Sequence, residues 1–243
     1  MNDSKDYLGF YWRERRQTSG DYLNNTIELL HGIRAVSDNS GDVHLLSQGK
    51  ILKVDLDNHI EMKDEIINLF LDPEVAYINS SERDSNDCLT SPLGFTSHWE
   101  INSEADLSIA VTVSNGAHGN SSPGNSVVCK FGGSVLDRES SFKLTKAVWK
   151  YLISFCQPDF AAYTSHELSS QLDPEFEFNY SLGWMSFFNV QMQEKGLPKE
   201  LEVKFYKKGC QLKVPDKAVG SLDSEVVGLL KVAQNICLKK GII

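Results

Sequence analysis

A chain of 243 residues with 41% hydrophobic and 23% charged side chains is long and apolar enough to bury a core, which excludes a disordered resting state. Its apolar windows are broken by Lys, Asp, Ser or Gly well short of the roughly 18 residues that a membrane span needs, so no transmembrane helix is expected. The net charge of −9 is uneven: residues 1–71 carry 8 Lys/Arg against 12 Asp/Glu, residues 72–193 carry 6 against 15, and residues 194–243 carry 10 against 6.

An acidic middle repels nucleic acid and anionic membranes and favours a basic protein partner. The polar start, Met1 to Asp6, lacks the basic residues and apolar run of a secretory leader, and a cytoplasmic protein is the expectation. Cys88, Cys129, Cys156, Cys210 and Cys237 are far apart and form no CxxC or Cys/His cluster, so they are expected as reduced, partly buried thiols.

Along the chain, the aromatic run Tyr7 to Trp12 is β-prone, and Thr18-Ser-Gly-Asp21 fits a capping box, so a strand leads into a helix. Leu23, Ile27, Leu30 and Ile33 repeat at helical spacing until Ser37 to Gly41 ends that helix. Leu52, Val54 and Leu56 alternate as a strand, and Met62, Ile66, Leu69 and Phe70 return to helical spacing. Residues 72–92 are rich in turn formers and acids and read as a surface loop. Three strands follow, marked by Leu93, Phe95, Trp99 and Ile101, then by Leu107, Ile109, Val111 and Val113, then by Val127, Cys129 and Phe131. Asn115 to Asn125 reads as a long connection between the last two of them.

Val148, Trp149, Leu152, Phe155 and Cys156 predict a helix stopped by Pro158, and Phe160 to Thr164 looks extended. Leu182 to Phe188 is apolar on both faces, as in a central strand, and a one-sided hairpin turns at Lys207-Lys-Gly209. Val226, Leu230, Ala233 and Cys237 mark a final amphipathic helix. Strands occur in groups with helices set between the groups. That order predicts an α+β fold, with a largely antiparallel sheet and about four helices, as a single domain over 1–243.

No Walker, dinucleotide, HExxH, EF-hand or GxSxG motif is present, and no catalytic, cofactor or metal residue is assigned. Asp55 and Asp57 stand two apart in the expected strand, pointing to one face, and His166-Glu167 carries no nearby nucleophile pattern; both read as solvated surface. They remain the residues on which the alternative, a small hydrolase or transferase, would depend. Glu175 and Glu177 alternate with Phe176 and Phe178, as in an acidic contact strand. Trp12, Trp99, Trp149 and Trp184 lack a basic groove for nucleic-acid stacking and read as core anchors.

Two segments carry a family resemblance: Tyr11-Trp12-Arg-Glu-Arg15 before a helix, and Leu182-Gly183-Trp184-Met-Ser-Phe-Phe188 before a hairpin and a terminal helix. They resemble the immunity protein 52 family of bacterial polymorphic-toxin and type VI secretion systems. Trp12, Arg15, Gly183 and Trp184 are the positions that match its pattern, and the middle of the chain matches nothing in it. The resemblance implies a cytoplasmic antidote that binds and silences a cognate toxin effector, often a nuclease. A nuclease presents Lys and Arg to phosphates, so an acidic protein fits that surface. Glu82, Asp84 and Asp87 on the long loop, with Asp173, Glu175 and Glu177, are the expected toxin contacts, and the family tryptophans are expected to hold the scaffold.

Overall fold

Thr18 opens the first helix as its sequence dictates. Its hydroxyl accepts from the Asp21 amide at 3.1 Å, and the Asp21 carboxylate accepts from the Thr18 amide at 3.3 Å, closing the capping box. The computed structural model describes residues 6–13, 15–47, 49–70, 91, 93–102, 107–117, 124–132, 138–175, 180–190 and 196–242. In chain order these form β1 (Asp6–Trp12), α1 (Ser19–Ser37), β2 (Asp42–Ser47), β3 (Lys50–Val54), α2 (Lys63–Phe70), β4 (Leu93–Asn102), β5 (Ser108–Ala117) and β6 (Asn125–Gly132). Then follow α3 (Arg138–Cys156), β7 (Phe160–Ser165), α4 (His166–Leu172), β8 (Met185–Phe188), β9 (Glu202–Tyr206), β10 (Gly209–Lys213) and α5 (Ser224–Lys239).

The strands form one ten-stranded sheet in the order β3-β2-β4-β5-β6-β1-β7-β8-β10-β9. Every pairing among them is antiparallel. The first strand therefore lies mid-sheet, bonded to β6 through Phe10↔Val127 and to β7 through Phe10↔Ala161.

Alternation along the strands sorts the side chains into two layers. Leu45, Trp99, Val111, Cys129 and Leu8 stand in register, are all buried, and face α1, α2 and α3. Tyr22 of α1 reaches that layer, donating its hydroxyl to the Val113 carbonyl at 2.9 Å, and burial raises its pKa. Phe10 meets Trp149 of α3, with ring centroids 5.4 Å apart. Each such fully buried apolar side chain contributes about 1.5–3 kcal/mol.

The opposite face divides in two. Toward β10 it is covered: Cys210 and Leu212 are buried on the side away from Gln211, which accepts from Trp149 of α3 at 3.2 Å. α5 packs there, with Gln234 accepting from the Leu182 amide at 3.0 Å and donating to the Leu172 carbonyl of α4 at 3.4 Å. Over β4 to β6 the same face is polar and open. Thr96, His98, Ala110 and Lys130 are exposed, and His98 bonds across to Thr112 at 3.0 Å.

Several expectations are corrected. The helices are five among the described residues, because Ser165 caps an unforeseen α4, its hydroxyl accepting from the Leu168 amide at 3.0 Å. β2 is a further strand beyond those expected, in which Val43 and Leu45 alternate inward. Asp55 and Asp57 lie beyond the end of β3 in a turn, where the Asp55 carboxylate accepts from the Asp57 amide at 3.0 Å and from Asn58 at 2.8 Å. β5 extends to Ala117 and β6 starts at Asn125, whose carboxamide oxygen accepts from the Ala117 amide at 3.0 Å. The long connection expected at 115–125 is correspondingly shorter, and residues 118–123 and, apart from Ser91, the expected loop at 72–92 lie outside the described residues.

Candidate functional site

The aromatic end of β1 delivers Trp12, Arg13 and Arg15 to the C-terminal end of α3. That helix stops where Gln157 takes a left-handed conformation, φ 46°, immediately before Pro158. Its last carbonyls are met by Arg15, which donates to the Cys156 oxygen at 2.9 Å and to the Gln157 oxygen at 3.4 Å. A cation at this end also opposes the negative pole of the helix dipole. The Arg15 guanidinium lies 5.2 Å from the Trp12 ring centroid, and the Trp12 indole donates to Asn115 at 3.3 Å. Trp12 itself is 4% exposed.

Asp159 ties the same corner together through its backbone and carboxylate. Its amide donates to the Tyr11 carbonyl at 2.9 Å, its carbonyl accepts from the Asn189 amide at 2.9 Å, and its carboxylate accepts from the Arg13 amide at 3.0 Å. Between this corner and the β9–β10 turn opens a cleft of about 790 Å³. Trp12, Ile153, Phe187 and Tyr206 form its floor, and the exposed Arg13, Lys207 and Lys208 stand around it. A smaller cavity of about 230 Å³ shares Trp12 and Arg15 with it and is also lined by Gln17, whose buried side-chain oxygen has no hydrogen-bond partner among the described residues. The cleft went unforeseen in the sequence; its signals were the positive balance of residues 194–243 and the Lys207-Lys208 turn.

At the Gly183-Trp184 segment, the backbone of residues 182–184 enters β8 through side-chain bonds. The Gly183 amide donates to the Ser186 hydroxyl at 3.0 Å, and the Trp184 indole donates to the Ser221 carbonyl at 2.8 Å. A Cβ on Gly183 would collide with the Tyr163 carbonyl oxygen of β7, so only glycine permits this approach. Gly183 and Trp184 are buried and serve the packing of β7, β8 and the chain before α5.

Among the described residues, the remaining sequence-assigned side chains do not converge. Asp173 is 4% exposed at the end of α4, so its carboxylate is not the surface contact expected of it. Glu175 is exposed, whereas Glu82, Asp84, Asp87 and Glu177 lie outside the described residues. Asp55 and Asp57 follow the edge strand β3, and His166 follows β7, with five strands between them in the sheet. His166 is exposed beside Tyr7, with ring centroids 5.3 Å apart, and Asp57 stands 3.8 Å from His31. Hydrogen bonds from Asn58 and the Asp57 amide lower the Asp55 pKa. Among the described residues no three His, Cys, Asp or Glu side chains gather in a way that holds a metal ion. None of their helices is long and apolar enough to cross a membrane.

The chain is similar in fold to a Pseudomonas aeruginosa T6SS protein. That structure, of the protein PA0821, matches over 98% of this chain and 72% of its own, with a TM-score of 0.52 and 11% sequence identity. The likeness is one of fold. No family model and no curated protein sequence matches the chain.

Proposed function

We propose that the chain is an immunity protein of a type VI secretion or related polymorphic-toxin system, which binds and neutralises a cognate toxin effector. The observation that carries this reading is the fold, which follows a T6SS protein over nearly the whole chain. The Tyr-Trp and Gly-Trp segments support it as well. Trp12, Arg15, Gly183 and Trp184 act as scaffold, pinning a helix end and a close strand approach. The sheet they brace leaves a broad polar face over β4 to β6 free for a partner.

In this reading the effector is a nuclease with a basic surface, met in the cytoplasm by acidic side chains including Glu82, Asp84, Asp87, Glu175 and Glu177. Opposite charge accelerates encounter and sets register more than it adds affinity. The experiment is co-expression with the product of the adjacent gene in a sensitive host. Neutralisation restores growth and yields a complex that co-purifies, and Asp84→Lys with Asp87→Lys weakens it by about tenfold or more. Unrelieved toxicity with no complex would remove the immunity reading and leave a structural module of the secretion apparatus.

A further inference from the structure

We propose that the cleft between the end of α3 and the β9–β10 turn docks an acidic segment of a partner protein. Arg13, Lys207 and Lys208 take its carboxylates, and the Trp12, Phe187 and Tyr206 floor takes its apolar side chains. The inference deepens the binder reading by adding a contact of the opposite charge to the acidic one.

Charge is the first ground. The chain carries −9 overall, yet four cationic side chains and one carboxylate line this cleft. The carboxylate, Asp159, accepts from the Arg13 amide and keeps its charge, so the lining retains a positive balance of four cations to one anion. Arg15 is committed to the α3 carbonyls, covering the negative helix end that would otherwise repel an anion.

The second ground is the contrast with neighbouring lysines. At the far end of the same hairpin, Lys213 pairs with Glu202 at 2.8 Å and with Asp216 at 2.6 Å, and Lys146 pairs with Asp216 at 2.9 Å. Arg13, Lys207 and Lys208 have no such side-chain partner among the described residues. Three like charges held around one concavity repel one another, and an incoming carboxylate relieves that repulsion.

Shape selects the class of ligand. A volume of about 790 Å³ takes a few side chains, not a duplex, and the cationic rim is too short to track a nucleic-acid backbone. The acidic middle of the chain also repels a polyanion. A floor of Trp12, Ile153, Phe187 and Tyr206 beneath cations matches a peptide in which Glu or Asp alternates with an apolar residue.

The test is fluorescence anisotropy of the whole chain with a short labelled peptide alternating Glu and Phe, beside a matched Gln-Phe peptide and an oligothymidylate of equal length. The Glu peptide binds, its affinity falls about tenfold or more in Lys207→Glu/Lys208→Glu and in Arg13→Glu, and added salt weakens it. All three side chains are exposed, and circular dichroism verifies that the variants fold. Equal binding of the Gln peptide, unchanged affinity in the folded variants, or tighter binding of the oligothymidylate would each overturn the proposal. So would sedimentation showing that the cleft joins two copies of this chain. A lost cleft with neutralisation intact would leave the immunity reading standing, and the converse result would leave the cleft.

Discussion

At the scale of single residues, the Trp12–Arg15 and Gly183-Trp184 segments act through packing that substitutions can expose. Gly183→Ala drives a methyl into the Tyr163 carbonyl, which cannot swing aside because β7 is paired on both edges. Overpacking of this kind costs about 1–3 kcal/mol, and a backbone neighbour puts the expected loss at the upper end. Arg15→Ala removes the cation from the end of α3 and its stack on Trp12, an expected loss of about 1–2 kcal/mol by urea unfolding. Arg15→Lys recovers only part of it, since an ammonium lacks the planar fork that spans two carbonyls. Wild-type stability in either alanine variant would mean that these residues serve a partner instead of the scaffold. The cysteines give a further residue-scale prediction. Burial pushes the Cys156 thiol up to about 12 and the Cys237 thiol to about 11, and raises Cys129 as well. The thiolate is the reactive form, so at pH 8 a disulfide reagent should modify Cys129, Cys156 and Cys237 only as fast as the protein unfolds.

At the scale of elements, sequence patterns were readable where one signal dominated and silent where two competed. The Thr18 capping box, the 3.6-residue repeat of α1, the alternation in β4 to β6 and the Lys207-Lys-Gly209 turn all appear as expected. α4 was hidden because only Leu168 and Leu172 of its seven residues are buried, too few to show a period. β2 was hidden by its polar flanks, and Asp55 could not be told from a strand residue because its turn is set by its own carboxylate. The cleft was unreadable for another reason: its side chains come from β1, α3 and the β9–β10 turn, which only the fold brings together. The Lys213 cluster beside that hairpin predicts a pH response. Hydrogen bonds from Lys213 and Lys146 lower the Asp216 pKa below its ordinary 3.8, so its stabilisation is present above that value and fades as pH falls through the depressed one. Burial works against the Lys213 charge, but its bonds to Asp216 and Glu202 outweigh that and raise its pKa above 10.5, so its share is present below 10.5 and fades as pH rises through the raised value. Urea midpoints of wild type and Asp216→Asn should therefore differ at pH 7 and converge toward pH 2. A gap that persists in acid would assign the effect to packing. The gap is small, because Asp216 is 57% exposed and water screens the pair.

At the scale of the whole molecule, the decisive feature is that β1 closes the sheet. Five strands lie on its β6 side and four on its β7 side, and within the sheet the two groups are hydrogen-bonded only through it. Residues 6–12 thus pair on both edges with chain more than a hundred residues further along, as in Leu8↔Cys129 and Leu8↔Tyr163. Such contacts are slow to form, since long loops must close before they stabilise anything. They are also expected to weld the two halves into one cooperative unit. Native-state hydrogen exchange should accordingly show the amides of β1, β6 and β7 opening only with global unfolding, while the edge strands β3 and β9 exchange by local fraying. Phe10→Ala sharpens the test. Phe10 is fully buried against Trp149, so truncation costs about 3–5 kcal/mol. If the sheet is one unit, protection falls by the same amount in β5 and in β8, on opposite sides of the substitution. A fall confined to one side would divide the chain into two folding units that meet at β1, and would place the cleft, which draws on β1, α3 and the β9–β10 turn, at the seam between them.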